Sequence, residues 1–274
     1  MTVTQTTTTT MTQPVLDLPK SDKSQYDQPA AVAYTSYADL PVARLEAELI
    51  HKALGDCTNL NVLDLGGGSG TYARMALSLG ASRIDVVDIS PSMLSLGQSL
   101  SPLPSQITYH LADATQTLPP QNLPLLPPGS YDLVMANWLF DHAHSPSELR
   151  AMWSNIATYL RRDGKFIGIR AIAPGMFSSH NCKVGKYGCL RSEIRAIPGG
   201  VACRATLLTS PPLEVGCTLM EDCYSLRDEI GREAGMVGFG RVEERGTRVV
   251  REDVEFWREH LEEPEFAVVT AVRG

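Results

Sequence analysis

The chain has 274 residues, of which 43% are hydrophobic and 20% are charged, and this suits one sizeable α/β domain with room for a modest subdomain. Its net charge of −7 and its pI near 5.4 argue against a polyanionic partner such as nucleic acid. No apolar run approaches the ~20 residues that span a bilayer, so we expect no membrane partner.

The N-terminal stretch, residues 1–24, is rich in threonine and poor in large apolar side chains. It has neither the basic region nor the apolar core of a secretory signal, and it cannot bury enough surface to offset the entropy of ordering. We therefore predict a disordered tail. The six cysteines form no CxxC pair, which favours reduced thiols in the cytoplasm. They stand at positions 57, 182, 189, 203, 217 and 223.

The next segments predict a helical N-terminal region followed by alternating strands and helices. Residues 26–55 have apolar residues at helical spacing, with a break near Pro41 and an end at Gly55. Near-continuous apolar strands that alternate with helices indicate a parallel sheet with both faces covered. The predicted strands are 61–66, 83–90, 106–113, 131–139 and 165–173, and the predicted helices are 69–80, 90–101 and 146–164. Ser90 is the expected N-cap of the second helix, and a glycine ends the third.

Residues 174–218 break this alternation with glycine, proline and cysteine. Two strand-like pieces within them, 201–209 and 213–220, predict a hairpin beside the strand ends. After a predicted helix at 221–235, residues 239–246 and 266–273 are expected to close the sheet as an antiparallel pair.

The stretch VLDLGGGSGT at residues 62–71 carries the most informative motif. The dinucleotide pattern G-x-G-x-x-G fails from Gly66, because Thr71 takes the place of its third glycine, and it also fails from Gly67. The pattern D-x-G-x-G-x-G fits at Asp64, Gly66, Gly68 and Gly70. In this motif the chain resembles the class I methyltransferases that depend on S-adenosylmethionine (SAM).

Three acids follow three consecutive predicted strands and support the same cofactor. Asp88 ends the second strand, where a carboxylate can accept both ribose hydroxyls, although it could instead only begin the next helix. The resemblance implies that Asp64 holds the SAM ammonium and that Gly66, Gly68 and Gly70 let the backbone approach the ligand. It also implies that Ile89 lies against the adenine and that Asp113 and Ala114 bind its edge. For Asp64, the alternative is an acid that serves a turn.

The segment YDLVMANWLFDHAHS, residues 131–145, resembles the part of small-molecule methyltransferases that passes beneath the transferred methyl group. Asn137 could offer its carbonyl to the SAM ammonium, and Trp138 and Phe140 could form an apolar wall. His142 is the candidate base, which favours O- or C-methylation. The alternatives are core packing for Trp138 and a solvated loop histidine for His142.

Two further regions are predicted to surround the substrate. The segment YDQPAAVAYTSY resembles the N-terminal lid helix of the same group, with Tyr26, Tyr34 and Tyr37 as candidate contacts or, alternatively, as packing residues. The insertion at 174–218 is expected to cover the acceptor with apolar groups such as Met176, Phe177 and Tyr187. It also carries the cations Lys183, Lys186, Arg191, Arg195 and Arg204.

The resemblance implies a Rossmann-like α/β fold: a seven-stranded sheet, mostly parallel with an antiparallel last strand, and helices on both faces. The expected organisation is a tail at 1–24, lid helices at 25–58 and a methyltransferase domain at 59–274. The predicted function is SAM-dependent methylation of a small molecule, of the kind found in secondary metabolism, without a metal. The alternatives are a SAM-binding protein of this fold that does not methylate, such as a pericyclase or a partner subunit, and a protein methyltransferase. The acceptor and the oligomeric state stay open.

Overall fold

The structure of the protein is a computed structural model, which describes residues 25–101, 106–118, 123–172 and 183–274. The tail predicted at residues 1–24 lies outside the described residues, and so do Met176 and Phe177.

A seven-stranded sheet with the strand order β3-β2-β1-β4-β5-β10-β9 forms the centre of the molecule. The first five strands are parallel, whereas β10 pairs antiparallel with both β5 and β9. The Rossmann-like fold predicted from the sequence is therefore confirmed. The strands are β1 (Asn61–Leu65), β2 (Arg83–Asp88), β3 (Ile107–Leu111), β4 (Tyr131–Met135), β5 (Leu160–Ala171), β9 (Met236–Arg241) and β10 (Phe266–Arg273).

Helices cover both faces of this sheet because its central strands are apolar on both sides. Successive side chains of a strand point to opposite faces, so Val62 and Leu63 belong to two different core clusters. Val62 packs with residues of the N-terminal helix such as Leu49, and Leu63 packs with Trp153 and Phe166. The helices of the first 160 residues are α1 (Gln28–Tyr34), α2 (Pro41–Leu54), α3 (Thr71–Ser78), α4 (Pro91–Leu100) and α5 (Pro146–Tyr159).

Most helix ends follow the local sequence. The Ser90 hydroxyl accepts a hydrogen bond from the Met93 N–H, which confirms the predicted N-cap of α4. Helix α5 is an exception, since it ends at Tyr159 and not at the glycine of residue 164. The chain passes directly into β5, where Leu160 pairs with Tyr131 of the neighbouring strand, so strand pairing replaces the predicted last helical turn.

The predicted helix at 221–235 is also wrong in extent. It is split into Glu221–Tyr224 and Glu229–Glu233, and Leu226 and Asp228 adopt left-handed backbone conformations between them. Asp228 forms a buried ion pair with Arg170 of β5, at 2.5 and 2.9 Å. This tertiary contact explains the break. Two more helices that we did not predict, Arg248–Glu252 and Val254–Glu262, precede β10.

The insertion forms a second, three-stranded antiparallel sheet in the order β6-β7-β8. Strands β7 (Gly200–Leu207) and β8 (Leu213–Met220) are the predicted hairpin, while β6 (Cys189–Ile197) was not predicted. A bridge between His142 and Thr218 joins this small sheet to the segment that follows β4. The insertion therefore lies at the carboxyl end of the main sheet.

Candidate functional site

A first cavity opens at the carboxyl ends of β1 to β4, the edge where open α/β sheets bind ligands. It is bounded by the glycine loop, by the residues after β2, β3 and β4, and by the N-terminal segment. Its walls include most of the predicted cofactor residues, which are Tyr34, Asp64, Gly66, Gly68, Asp88, Ile89, Asp113, Ala114 and Asn137.

The glycine loop presents bare backbone to this cavity. Gly66 and Gly68 have positive φ angles of 66° and 54°, a conformation that glycine adopts without strain. At Gly67 the constraint is space, because a Cβ atom there would lie 2.6 Å from Asp64 Cγ and 2.9 Å from a Val86 methyl carbon. The loop therefore fits a ligand that approaches the main chain closely.

Asp64 fits a cationic partner. The side chain is 1% exposed, and its Oδ1 atom has no hydrogen-bond partner. Burial, and then the neighbouring charge of Asp88, raises the pKa of Asp64 to about 8. A buried acid of this kind is costly unless a ligand satisfies it, and the ammonium of SAM would do so.

Asn137 lines the first cavity, and its role toward the SAM ammonium stays a prediction. Its side-chain oxygen already accepts a hydrogen bond from the Ile169 N–H at 3.2 Å. The side-chain amide nitrogen is buried without a partner. Toward a ligand, the Asn137 side chain therefore offers an N–H donor, and its oxygen has one lone pair left for a second hydrogen bond.

Asp88 both shapes the loop and faces the cavity. Its Oδ2 atom accepts from the Gly68 N–H and its Oδ1 atom from the Ser90 N–H, each at 2.8 Å. Each carboxylate oxygen can accept a second hydrogen bond, so the ribose hydroxyls can still be bound. Asp113 is similar, since its Oδ1 accepts from Thr115 at 2.6 and 2.9 Å and the residue lines the cavity.

A second cavity adjoins the first and is lined by the inserted sheet, the N-terminal segment and the residues around β10. Four residues line both cavities: Tyr26, Tyr34, Trp138 and His142. The remaining walls of the second cavity are formed by Tyr37, Val42, Asp141, Cys189, Arg191, Ala205, Leu207, Val215, Cys217, Glu265 and Phe266.

Trp138 stands at the boundary between the two cavities in an unusual backbone conformation. Its φ angle is 61°, which is rare for a bulky residue, and its N–H donates to the Ile169 carbonyl at 2.7 Å. Strain of this kind occurs preferentially at functional sites. The next residues carry His142 to the same boundary, where its ring centroid lies 6.0 Å from that of Tyr26.

The predicted lid tyrosines contact one another and a buried acid. Tyr34 and Tyr37 stack with their centroids 5.0 Å apart. The Tyr37 hydroxyl donates to Glu46 at 2.8 Å, and the Tyr72 hydroxyl donates to the same carboxylate at 3.1 Å. Burial raises the pKa of Glu46 to about 7, against the hydrogen bonds from Tyr37 and Tyr72 that lower it. Glu46 thus connects walls of both cavities.

The N-terminal segment is attached to both sheets. Ser90 Oγ donates to the Tyr26 carbonyl, and the Gly216 N–H of β8 donates to Gln25 Oε1, each at 2.6 Å. The Ser210 N–H also donates to Ser36 Oγ at 2.8 Å. This segment therefore lies across the cavities between the main sheet and the insertion.

Of the predicted site residues that the structure describes, three line neither cavity. Gly70 begins α3, and a Cβ atom there would lie 2.7 Å from the Tyr109 hydroxyl, so packing accounts for this glycine. Phe140 is buried against Trp153, with a centroid distance of 4.6 Å. Tyr187 stacks on Trp257 at 4.9 Å. The side chains of Phe140 and Tyr187 instead belong to the two hydrophobic core clusters on the faces of the main sheet.

Sequence reasoning missed several residues of the site. Tyr72, Met93 and Thr115 line the first cavity, and they lie within a few positions of the recognised motifs, so their spacing could have indicated them. Glu46 had no such indication, since it is one acid in an ordinary amphipathic helix. In the described segments, no three His, Cys, Asp or Glu side chains are grouped so that they could hold a metal ion. None of the described helices combines the length and apolar character that crossing a membrane requires.

Comparisons with known proteins agree with this geometry. Residues 62–164 match a family model described as a methyltransferase domain. A search of curated protein sequences finds no significant match. Among solved structures, the chain is similar to the CcbJ methyltransferase from Streptomyces caelestis, with a TM-score of 0.61 and 16% identity over 93% of this chain and 100% of that one.

Two other structures have comparable similarity. One is an S-adenosylmethionine-dependent methyltransferase from Mesorhizobium loti, with a TM-score of 0.55 and 18% identity over 84% of this chain and 98% of that one. The other is magnesium protoporphyrin IX methyltransferase from Synechocystis with bound S-adenosylhomocysteine (SAH), with a TM-score of 0.56 and 17% identity over 92% and 98%. Residues 62–164 are thus similar to a methyltransferase domain, and the chain shares the fold of these structures.

Proposed function

We propose that this chain is a class I SAM-dependent methyltransferase, which holds SAM in the first cavity and methylates an oxygen, nitrogen or carbon atom of a small molecule in the second. The observation that carries the proposal is the shared boundary of Tyr26, Tyr34, Trp138 and His142. A methyl group that crosses this boundary passes from one ligand to the other with both held by the same residues.

The first cavity fits SAM in charge and shape. The buried, unpartnered oxygen of Asp64 suits its ammonium, and Asp88 suits its ribose hydroxyls. Asp113, Ala114 and Ile89 line the part of the cavity that the adenine would occupy. SAM supplies a methyl group that is already activated by its sulfonium, so the chain has mainly to orient the acceptor.

His142 is the proposed base for an acceptor that must lose a proton. It lies at the boundary of the two cavities, within reach of both ligands, and accepts the acceptor's proton as the new bond forms. Trp138 excludes water and fixes the orientation of the acceptor. The N-terminal helices at 25–58 serve as a lid, since Tyr26 and Tyr34 contribute to both cavities.

A small molecule is the proposed acceptor because the inserted sheet and the N-terminal segment enclose the second cavity. The resemblance to enzymes of secondary metabolism and the small acceptor named for the Synechocystis neighbour support this class.

The test combines turnover with cofactor binding. The protein is incubated with deuterated-methyl SAM and a metabolite extract, and labelled products are found by mass spectrometry. His142→Ala should reduce turnover by about tenfold or more, while SAH affinity changes little, because a base acts in the transition state. His51→Ala, at an exposed position of α2, is the control.

Two results would contradict the proposal. SAH binding without any labelled product would favour a protein of this fold that does not methylate. Full activity in His142→Ala would limit the role of the site to positioning.

A further inference from the structure

We propose that the acceptor carries a carboxylate on a flat, apolar body, and that Arg191 of β6 binds this carboxylate in the second cavity. The inference rests on the proposed function, since it specifies the molecule that the second cavity receives.

Arg191 is a cation without an adequate partner. The residue lines the second cavity, and its Nε atom is buried with no hydrogen-bond partner. Its Nη1 atom donates to Cys203 Sγ at 3.9 Å, and in the described part of the chain it forms no ion pair with a carboxylate. A guanidinium is permanently charged and has five N–H donors, so most of its binding capacity is available to a ligand.

The groups around Arg191 offset only part of its charge. Hydrogen bonding from Cys217, and to a lesser extent the Arg191 charge, lowers the pKa of the Cys203 thiol to about 7. Even as a thiolate, Cys203 engages only one of the five N–H donors of Arg191. Asp141 also lines the cavity, but its Oδ1 atom accepts from the Ala171 N–H, and burial raises its pKa to about 6. Glu265 is the other acid of the cavity wall.

The cations of the insertion that form ion pairs do not compete for this role. Lys186 pairs with Glu259 at 3.1 Å, and Arg204 pairs with Glu193 and Glu214 at 3.1 and 3.2 Å. None of these side chains lines the second cavity. Among the described cations of the insertion, Arg191 is therefore the one that lines the second cavity.

A carboxylate suits this position better than a phosphate ester. Its planar pair of oxygens matches the guanidinium fork, whereas a dianion would also meet Asp141 and Glu265 in the same cavity. The remaining walls are mostly apolar and aromatic, with Val42, Val215 and Phe266 among them. These walls favour a flat hydrocarbon or aromatic body over a sugar-like one.

The experiment measures binding and needs no turnover. SAH-loaded protein is titrated calorimetrically with cinnamate and with cinnamamide, which has the same flat body but no charge. Wild-type protein should bind cinnamate about tenfold or more tightly than cinnamamide. Arg191→Gln should remove this preference, and Arg195→Gln, on the same strand but outside the cavity wall, should retain it.

Three results would overturn the inference: equal binding of the acid and the amide, binding of neither, or a preference that survives in Arg191→Gln. SAH affinity and melting temperature, measured on the same samples, show that each variant is folded. Arg191→Lys retains the positive charge but lacks the paired N–H donors of a guanidinium, so its preference for cinnamate over cinnamamide should be reduced. Failure of wild-type protein to bind SAH would instead defeat the proposed function itself.

Discussion

The two cavities share a boundary but are assembled from different parts of the chain. The first is lined largely by residues that follow β1, β2, β3 and β4, each within a few positions of its strand end. The second combines the N-terminal segment, the residues after β4, the inserted sheet and the start of β10. The first cavity therefore depends mainly on residues close to the strand ends in sequence, whereas the second depends on packing between segments that are distant in sequence.

The two cavities also differ in the groups that they offer a ligand. The first presents glycine backbone and three acids, two of which hold nearby N–H groups in place. The second presents mostly apolar and aromatic side chains, with one guanidinium and the two acids Asp141 and Glu265. We expect cofactor binding to depend on a few precise positions, and acceptor binding to depend on side chains that can change without disturbing the fold.

The largest expected effect tests how closely the glycine loop of the first cavity packs against its neighbours. Gly67→Ala should weaken SAH binding by about 100-fold, or roughly 3 kcal/mol, because the new methyl group would press on Asp64 and Val86. Calorimetric titration measures the loss. In Gly240→Ala, the added atom would meet only Thr270 Oγ1 at 3.7 Å, and SAH affinity should stay unchanged. Unchanged SAH affinity in Gly67→Ala would mean that the glycine loop can move away from Asp64 and Val86.

The next effect concerns the acid that serves both the loop and the ligand. Asp88→Ala should weaken SAH binding by about 2 kcal/mol, close to 30-fold, because charge-assisted bonds to ribose are lost together with the Gly68 and Ser90 contacts. Asp88→Asn keeps one acceptor oxygen, so its SAH affinity should lie between that of the wild-type protein and that of Asp88→Ala. Unchanged affinity in Asp88→Ala would show that this acid only starts α4.

The smallest effect on SAH binding concerns Glu46, the link between the two cavities. Its pKa rises from an ordinary 4.5 to about 7, so the folded state retains a proton that the unfolded state releases. This contribution is fully present below pH 4.5 and is lost as the pH rises through about 7. Up to about 3 kcal/mol of unfolding free energy should be lost across that interval.

Denaturant unfolding at several pH values measures this contribution. Glu46→Gln should flatten the decrease with pH, because the amide does not titrate, and should weaken SAH binding only a few-fold. Asp64 and Asp141, with pKa values raised to about 8 and 6, contribute changes of the same sign and will leave part of the slope. Glu255→Gln, at an exposed position, is the control. If the unfolding free energy of Glu46→Gln depends on pH as it does in the wild-type protein, another group is responsible for the decrease.

The sequence alone determined the main sheet and most of the first cavity. Continuous apolar strands, the glycine loop and the acids Asp64, Asp88 and Asp113 are local patterns, and their positions at strand ends bring them together in any sheet of this kind. Ser90 was predicted as a cap for the same reason, because capping involves residues only three positions apart.

Only the tertiary structure decided the second cavity and the ends of several elements. Phe140 and Tyr187 pack in the core while Arg191 and Glu265 line the cavity, although no local pattern separates these roles. The break at Asp228 depends on Arg170, and the end of α5 depends on pairing with β4. Burial and strand pairing between distant segments set these features, because the free energy of each contact depends on which residues the fold brings opposite one another.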